Sequence, residues 1–383
     1  IQNSVFYRLL LMIHLVIRGC NMKIAVIGAG NGGQSLAAVL AMRGNEVSLY
    51  NRSLKRISPI MKGRKLKVEG ESSGTARLKY VGTDMEKAVA NAELIMVVVP
   101  AFAHVEVARK LSKFVSNGQI IVLNPGRTGG ALEFDKVFKE EGVREKVTIA
   151  EAQTFIFASR ISGPGMVKIF RIKNTVPVAV LPSKDNDLLL PIMSDVLPEF
   201  TLADNTLFTS FNNIGAIFHP GAILMNAGWI ESTHGDFQFY LEGISPAVAR
   251  ALEKIDAERC EVTTRLGVQA MGAKEWLDYA YDAAGEDLYD AIHKNEGYRG
   301  IMAPISIENR YIMEDVPMSL VPISCFGKKL GVETKVMDSI INIAGAVMGR
   351  NFWEEGRTIE RLGVEHMSVE ELWRYVEKGD KDA

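Results

Sequence analysis

His219 stands directly before Pro220 in an otherwise apolar run from Phe211 to Asn226. An imidazole titrates near neutral pH and can give or take a proton at a reacting centre. The plainer reading of a lone histidine on an apolar face is a cap or a hydrogen-bonded core residue. Proline disfavours helical geometry in the residue before it and is welcome at the first helical position. A helix starting near Asn213 is therefore expected to break or kink at His219 and to aim the ring into a cleft. His14, His234, His293 and His366 have no comparable context, and His104, just beyond Pro100, is the rival. A carboxylate partner would orient the ring and raise its basicity. Glu314-Asp315-Val316-Pro317 offers one, although an Asp before a Pro-started helix is equally an ordinary cap.

Gly28-Ala29-Gly30-Asn31-Gly32-Gly33 is a GxGxxG turn between an expected strand and an expected helix. The first glycine permits the tight turn, the second lets a pyrophosphate approach the backbone, and the third lets helix and strand pack closely. That context predicts dinucleotide binding. An acidic residue at the end of the second strand would hold an NAD ribose, but this chain has Asn51-Arg52-Ser53. Arg52, with Asn51 and Ser53 as hydrogen-bond partners, suits a 2'-phosphate, so NADP is favoured over NAD. Val99-Pro100 and Asn124-Pro125-Gly126 end further strands at the sheet edge, where they are placed to border the nicotinamide. Arg127 is read either as a partner for a phosphate or substrate carboxylate or as a solvated loop charge.

Short apolar runs position these residues. Strands are expected at Lys23–Ile27, Glu46–Tyr50, Leu94–Val99, Ile120–Leu123, Val147–Ala150 and Val176–Leu181, with helices between them. This pattern predicts a doubly wound, mainly parallel α/β Rossmann domain over residues 22–184. Leu66–Val68 and Val167–Ile172 are weaker candidates for extra strands or a hairpin. Past Ser183 helical periodicities take over, which predicts an all-α domain over 185–383 and a cleft between the two. Residues 1–21 are expected to be an extension outside the natural fold. Their apolar stretch is too short for a membrane span and lacks a convincing signal cleavage site.

Of 383 residues, 47% are hydrophobic and 23% charged, with a net charge of -2. Nothing in that balance calls for nucleic acid or a membrane as partner. Three scattered cysteines without metal spacing indicate a reduced, cytoplasmic setting and no metal. The apolar helices allow a homodimer.

The chain resembles the octopine/nopaline (opine) dehydrogenase family, from Met22 to about Gly345. The segments carrying the resemblance are Asn124 to Ala131, Asn213 through His219-Pro220 to Asn226, Phe239 to Gly243, Ile255 to Arg259, and Arg310 to Pro317. It implies a Rossmann domain joined to a helical domain like that of 6-phosphogluconate dehydrogenase. It also implies His219 as catalytic acid/base, Asp315 as its partner, and reduction by NAD(P)H of the imine formed from an amino acid and a 2-oxo acid. Two product carboxylates would call for cations, with Arg127, Arg299 and Arg310 as candidates, and Asn212 or Asn213 are placed to line the same cleft. Two alternatives are weighed: a 2-oxo acid reductase of the ketopantoate reductase type, which would use a lysine where His219 stands, and a non-catalytic NADP-binding sensor.

Overall fold

The computed structural model describes residues 21–379, so the expectation for the N-terminal extension falls outside the described residues except for Asn21. The six expected strands form the middle of an eight-stranded sheet. Its strands are β1 (Lys23–Ile27), β2 (Glu46–Tyr50), β5 (Tyr80–Gly82), β6 (Leu94–Val97), β7 (Ile120–Leu123), β8 (Thr148–Ala152), β11 (Val176–Leu181) and β12 (Phe200–Leu202). The spatial order is β12-β11-β8-β7-β6-β1-β2-β5. β6 and β7 are wholly buried, as strands covered on both faces must be, which is why they read as continuous apolar runs. All pairs are parallel except β11 with β8.

The sheet does not stop at the expected junction of 184 and 185. β12 pairs in parallel with β11, so sheet structure continues to Leu202. Three residues with one buried side chain leave too little periodicity to announce a strand.

A second sheet runs β4-β3-β10-β9, from Lys65–Gly70 (β3), Gly74–Arg77 (β4), Phe157–Gly163 (β9) and Met166–Ile172 (β10). Leu66, Val68 and Ala76, Val167 and Ile169 turn inward while their neighbours face out. This sheet packs against the helix Asn31–Met42 that follows the glycine turn.

The helical part centres on Gly215–Met225, Pro246–Arg265, Val321–Leu330 and Lys335–Met348, which pack on one another. One apolar cluster joins it to the sheet, with Leu123 and Phe134 on one side and Leu207, Phe211 and Phe326 on the other.

The expected break at His219 is absent. Helix Gly215–Met225 runs through His219 and Pro220 and stops at Asn226, whose side-chain amide donates to the carbonyls of Ala222 and Gly243. An interior proline costs about 3 kcal/mol. Burial of Ile217, Phe218 and Ile223, worth about 1.5–3 kcal/mol each, outweighs it.

Candidate active site

A cavity of about 850 Å³ opens at the carboxyl ends of β1, β2 and β6. Gly28, Ala29 and Gly30 form its floor, Asn51, Arg52 and Ser53 one side, Val99 and Pro100 the other, and the β9–β10 hairpin tip at Ile161–Gly165 its cover. Gly28 has φ +110°, and a Cβ there would lie 2.3 Å from the Val98 carbonyl oxygen. A Cβ on Gly33 would lie 1.8 Å from the Gly28 oxygen, so only glycine permits the helix to start this close to the strand. Above Gly30 a Cβ would meet nothing within 4 Å, which leaves backbone open to a phosphate. Gly32 backs instead onto the Phe155 ring. The cradle fits a dinucleotide.

Several expected cofactor contacts turn out to be braces. Asn51 accepts from the Ala29 amide (3.0 Å) and donates to the Ser53 carbonyl (2.8 Å), fastening two walls together. Asn31 accepts from the Ile161 amide (3.0 Å) and so ties down the hairpin cover. Asn124 is buried and donates to the Val122 carbonyl (2.9 Å), while Gly126 lies against Glu151. Asn124, Pro125 and Gly126 are not among the residues that line this cavity, Asn124 and Gly126 being buried and Pro125 half-buried. Arg52 does line it, but both Glu106 oxygens hold its guanidinium, at 2.9 and 2.7 Å. Lys55, Arg56 and Lys110 share that rim.

His219 and Asp315, 96 positions apart, meet. Nδ1 lies 2.7 Å from Asp315 Oδ2, so Nδ1–H donates to the carboxylate and Nε2 keeps its lone pair. Nε2 faces the Tyr240 hydroxyl at 3.2 Å, which then donates to it. Tyr311 stacks on the imidazole with centroids 4.0 Å apart. Asp315 precedes a π-helical turn at Val316–Leu320, yet its side chain caps nothing, because the histidine and an arginine take it. Arg127 is that arginine: Nη1 lies 2.9 Å from Asp315 Oδ1 and Nε donates to Glu314 at 3.2 Å. Gly215 makes room for it, since a Cβ there would fall 2.3 Å from Arg127 Nη1. Glu314 also accepts from the Ala101 amide (3.0 Å), linking the dyad to the loop after β6.

The electrostatics follow from this burial. Desolvation pushes the His219 pKa below its ordinary value, against the opposing pull of Asp315. Burial would raise Asp315, but Arg127 first, and then His219, overcome it and hold the carboxylate below its usual range. At neutral pH the pair is a neutral imidazole on a carboxylate.

Of the expected substrate cations, Arg127 is buried and committed to Glu314 and Asp315. Arg299 is a surface residue paired with Glu296. Arg310 makes no ion pair among the described residues and lies over the Tyr311 ring, 5.7 Å from its centroid. Asn213 donates to Ser319 (2.8 Å) inside the core, and Asn212 braces Met271 and Arg259. Reasoning from types and spacing missed Tyr240, Glu314 as a second acid on Arg127, and Arg357. Fully buried Arg357 bonds Glu133, the Gly126 and Thr128 carbonyls and His104. That contact disposes of His104 as a rival: burial, then Arg357, pushes its pKa down to about 3. Tyr240 lies in the Phe239–Gly243 segment without any acid–base signal of its own, whereas Arg357 had no local signal at all.

A glycine-turn nucleotide cradle beside a buried histidine–aspartate pair, the two borne by a Rossmann sheet and a helical domain, defines a dinucleotide-dependent oxidoreductase. Residues 202–348 match the family model for the NAD/NADP octopine/nopaline dehydrogenase α-helical domain, and residues 23–163 that for the NAD-dependent glycerol-3-phosphate dehydrogenase N-terminus. The chain is 38% identical over 346 residues to an opine dehydrogenase of Arthrobacter sp. (strain 1C), covering 90% of this chain and 96% of that one. Among solved structures, octopine dehydrogenase in complex with NADH and agmatine superposes with a TM-score of 0.75 at 22% identity, over 95% of this chain and 99% of that one. Yersinopine dehydrogenase with NADP+ bound gives 0.68 at 14% identity, over 94% and 98%. The chain belongs to the opine dehydrogenase family and is an oxidoreductase acting on CH–NH bonds.

Proposed function

We propose that this enzyme condenses an amino acid with a 2-oxo acid, with His219 as acid/base, Asp315 as its orienting partner and NADPH preferred over NADH. The observation carrying the acid–base assignment is the fixed tautomer. Asp315, itself held by Arg127, claims Nδ1 and leaves Nε2 as the working nitrogen. In the oxidative direction the neutral imidazole takes the proton of the secondary amine at Nε2. Hydride would leave the adjacent carbon for the oxidised dinucleotide. Once Nε2 has passed its proton to solvent, the neutral ring takes a proton from the water that attacks the imine carbon, and breakdown of the carbinolamine releases amino acid and 2-oxo acid. The reduced dinucleotide, when bound by Gly28 to Gly30, Arg52, Ser53, Val99 and Pro100, supplies the hydride for the reductive direction. Tyr240 shares Nε2 with the arriving substrate, and Arg310 offers its guanidinium to one substrate carboxylate.

The preference for NADPH draws support from the absence of an acid at positions 51–53 and from Arg52, Lys55 and Arg56 on one rim. Free Cys260 and Cys325 agree with a reducing, cytoplasmic setting.

The test is NADPH oxidation against a matrix of 2-oxo acids, each with and without amino acids. Oxidation that requires both partners is expected, and oxidation by the oxo acid alone would overturn the reading. His219→Ala and Asp315→Asn are expected to lower kcat by about 10²- to 10⁴-fold while the NADPH Kd stays unchanged.

A further inference from the structure

Lys173 follows β10 and is buried where the second sheet meets the helical part. Its ammonium donates to the Phe155 carbonyl and lies 6.0 Å from the Trp276 ring centroid and 5.8 Å from that of Tyr281. Both of these neighbours lead to the site. Phe155 packs against Gly32 of the nucleotide turn. Tyr281 begins a row of touching rings that continues through Tyr298 and Tyr240 to His219. Lys173 and His219 thus stand on one aromatic wall.

Among the described residues no carboxylate pairs with Lys173, unlike the buried Arg127 and Arg357, which each have one. An unpaired buried ammonium is costly. Its surroundings make this worse: burial, then Arg127 and Arg310, push it down to about 7. Cation–π contact with two rings offsets only a small part of such a penalty. The wall therefore holds a buried amine with no anion beside it to keep its proton, within electrostatic reach of the arginines beside the dyad. A substrate pair that brings two carboxylates supplies that anion.

Building on the condensation reading, we propose that Lys173 anchors the more deeply bound of the two substrate carboxylates, leaving the exposed Arg310 to face the outer one. Lys173 is then a specificity-determining residue, contributed by the nucleotide-binding half of the chain.

The test compares kcat/KM for each acid with that for its uncharged amide: a 2-oxo acid against the 2-oxo amide, and an amino acid against the amino acid amide. In Lys173→Met the preference for one acid over its amide is expected to collapse by about 10- to 100-fold, through KM, with NADPH Kd unchanged. Lys173→Arg should retain most of that preference. In the unaltered enzyme, reductive methylation of Lys173, read by mass spectrometry, should be slowed by that acid and not by its amide. If both preferences survive in Lys173→Met, or if neither acid protects Lys173, the proposal fails even where turnover still requires both substrates. Should the unaltered enzyme oxidise NADPH with the oxo acid alone, the condensation reading fails, while the comparison of oxo acid with oxo amide still decides the role of Lys173.

Discussion

At the scale of single residues the active site is an exercise in keeping side chains from their commonest jobs. Asp315 stands where a helix cap belongs, but its two oxygens go to His219 and Arg127. Arg127 looks like a ligand for an anion, yet two internal carboxylates consume it. Arg52 is the opposite case, an exposed cation whose partner Glu106 is equally exposed, so their pairing is worth about 0–1 kcal/mol. A 2'-phosphate could displace such a partner, whereas the Glu106 charge repels it. Glu106→Gln is therefore expected to tighten NADPH binding by several-fold and leave NADH nearly unaffected. An equal change for both cofactors, measured by fluorescence titration, would show that Arg52 does not read the ribose.

The elements place these groups with little slack. Helix Gly215–Met225 starts at a glycine that leaves space for the Arg127 guanidinium, and carries His219 one turn further on. Gly215→Ala should push that guanidinium off Asp315 and cut kcat by at least 10-fold with the NADPH Kd intact; an unchanged kcat would mean the Arg127 contact is dispensable. Elements were legible in the sequence where one physical rule dominated. The buried strands β1, β6 and β7 and the glycine turn read directly, because continuous burial and a phosphate-sized turn each leave a local pattern. His219 and a helix beginning near Asn213 were legible, but the unbroken run of that helix through Pro220 was not, since the burial that offsets the proline comes from distant segments. Asp315 could be tied to His219 only through family resemblance, as a separation of 96 positions carries no spacing rule. Asn124 to Gly126 sit at the expected sheet edge but do not line the cavity over the glycine turn, and the cover at Ile161–Gly165 came from a sheet the sequence only hinted at.

Across the whole molecule, buried titrating groups set the response to acid. His104, at about 3, and His219, also lowered, stay neutral in the folded state while the unfolded chain protonates near 6.5. The unfolded state then binds more protons, so stability is intact above pH 6.5 and falls as pH drops towards the folded values, by about 1.4 kcal/mol per pH unit for His104, with His219 acting in the same direction. Glu151 works the other way, because burial raises its pKa and protonation relieves a buried charge. The histidines are expected to win between pH 6.5 and 4.5, with the urea midpoint falling over that range and falling less in His104→Gln. A midpoint that is flat over this window would contradict the burial of both rings.

Arg357 sets an order of events during synthesis. It supplies the positive charge for buried Glu133, 224 positions earlier in the chain. At about 5–20 residues per second the ribosome needs about 10–45 s to cover that distance. Through that interval the nucleotide-binding half carries a core carboxylate without its counterion. It can collapse early, but it locks only when the C-terminal segment arrives, so a chain stopped short of residue 357 would leave its first half permanently unfinished.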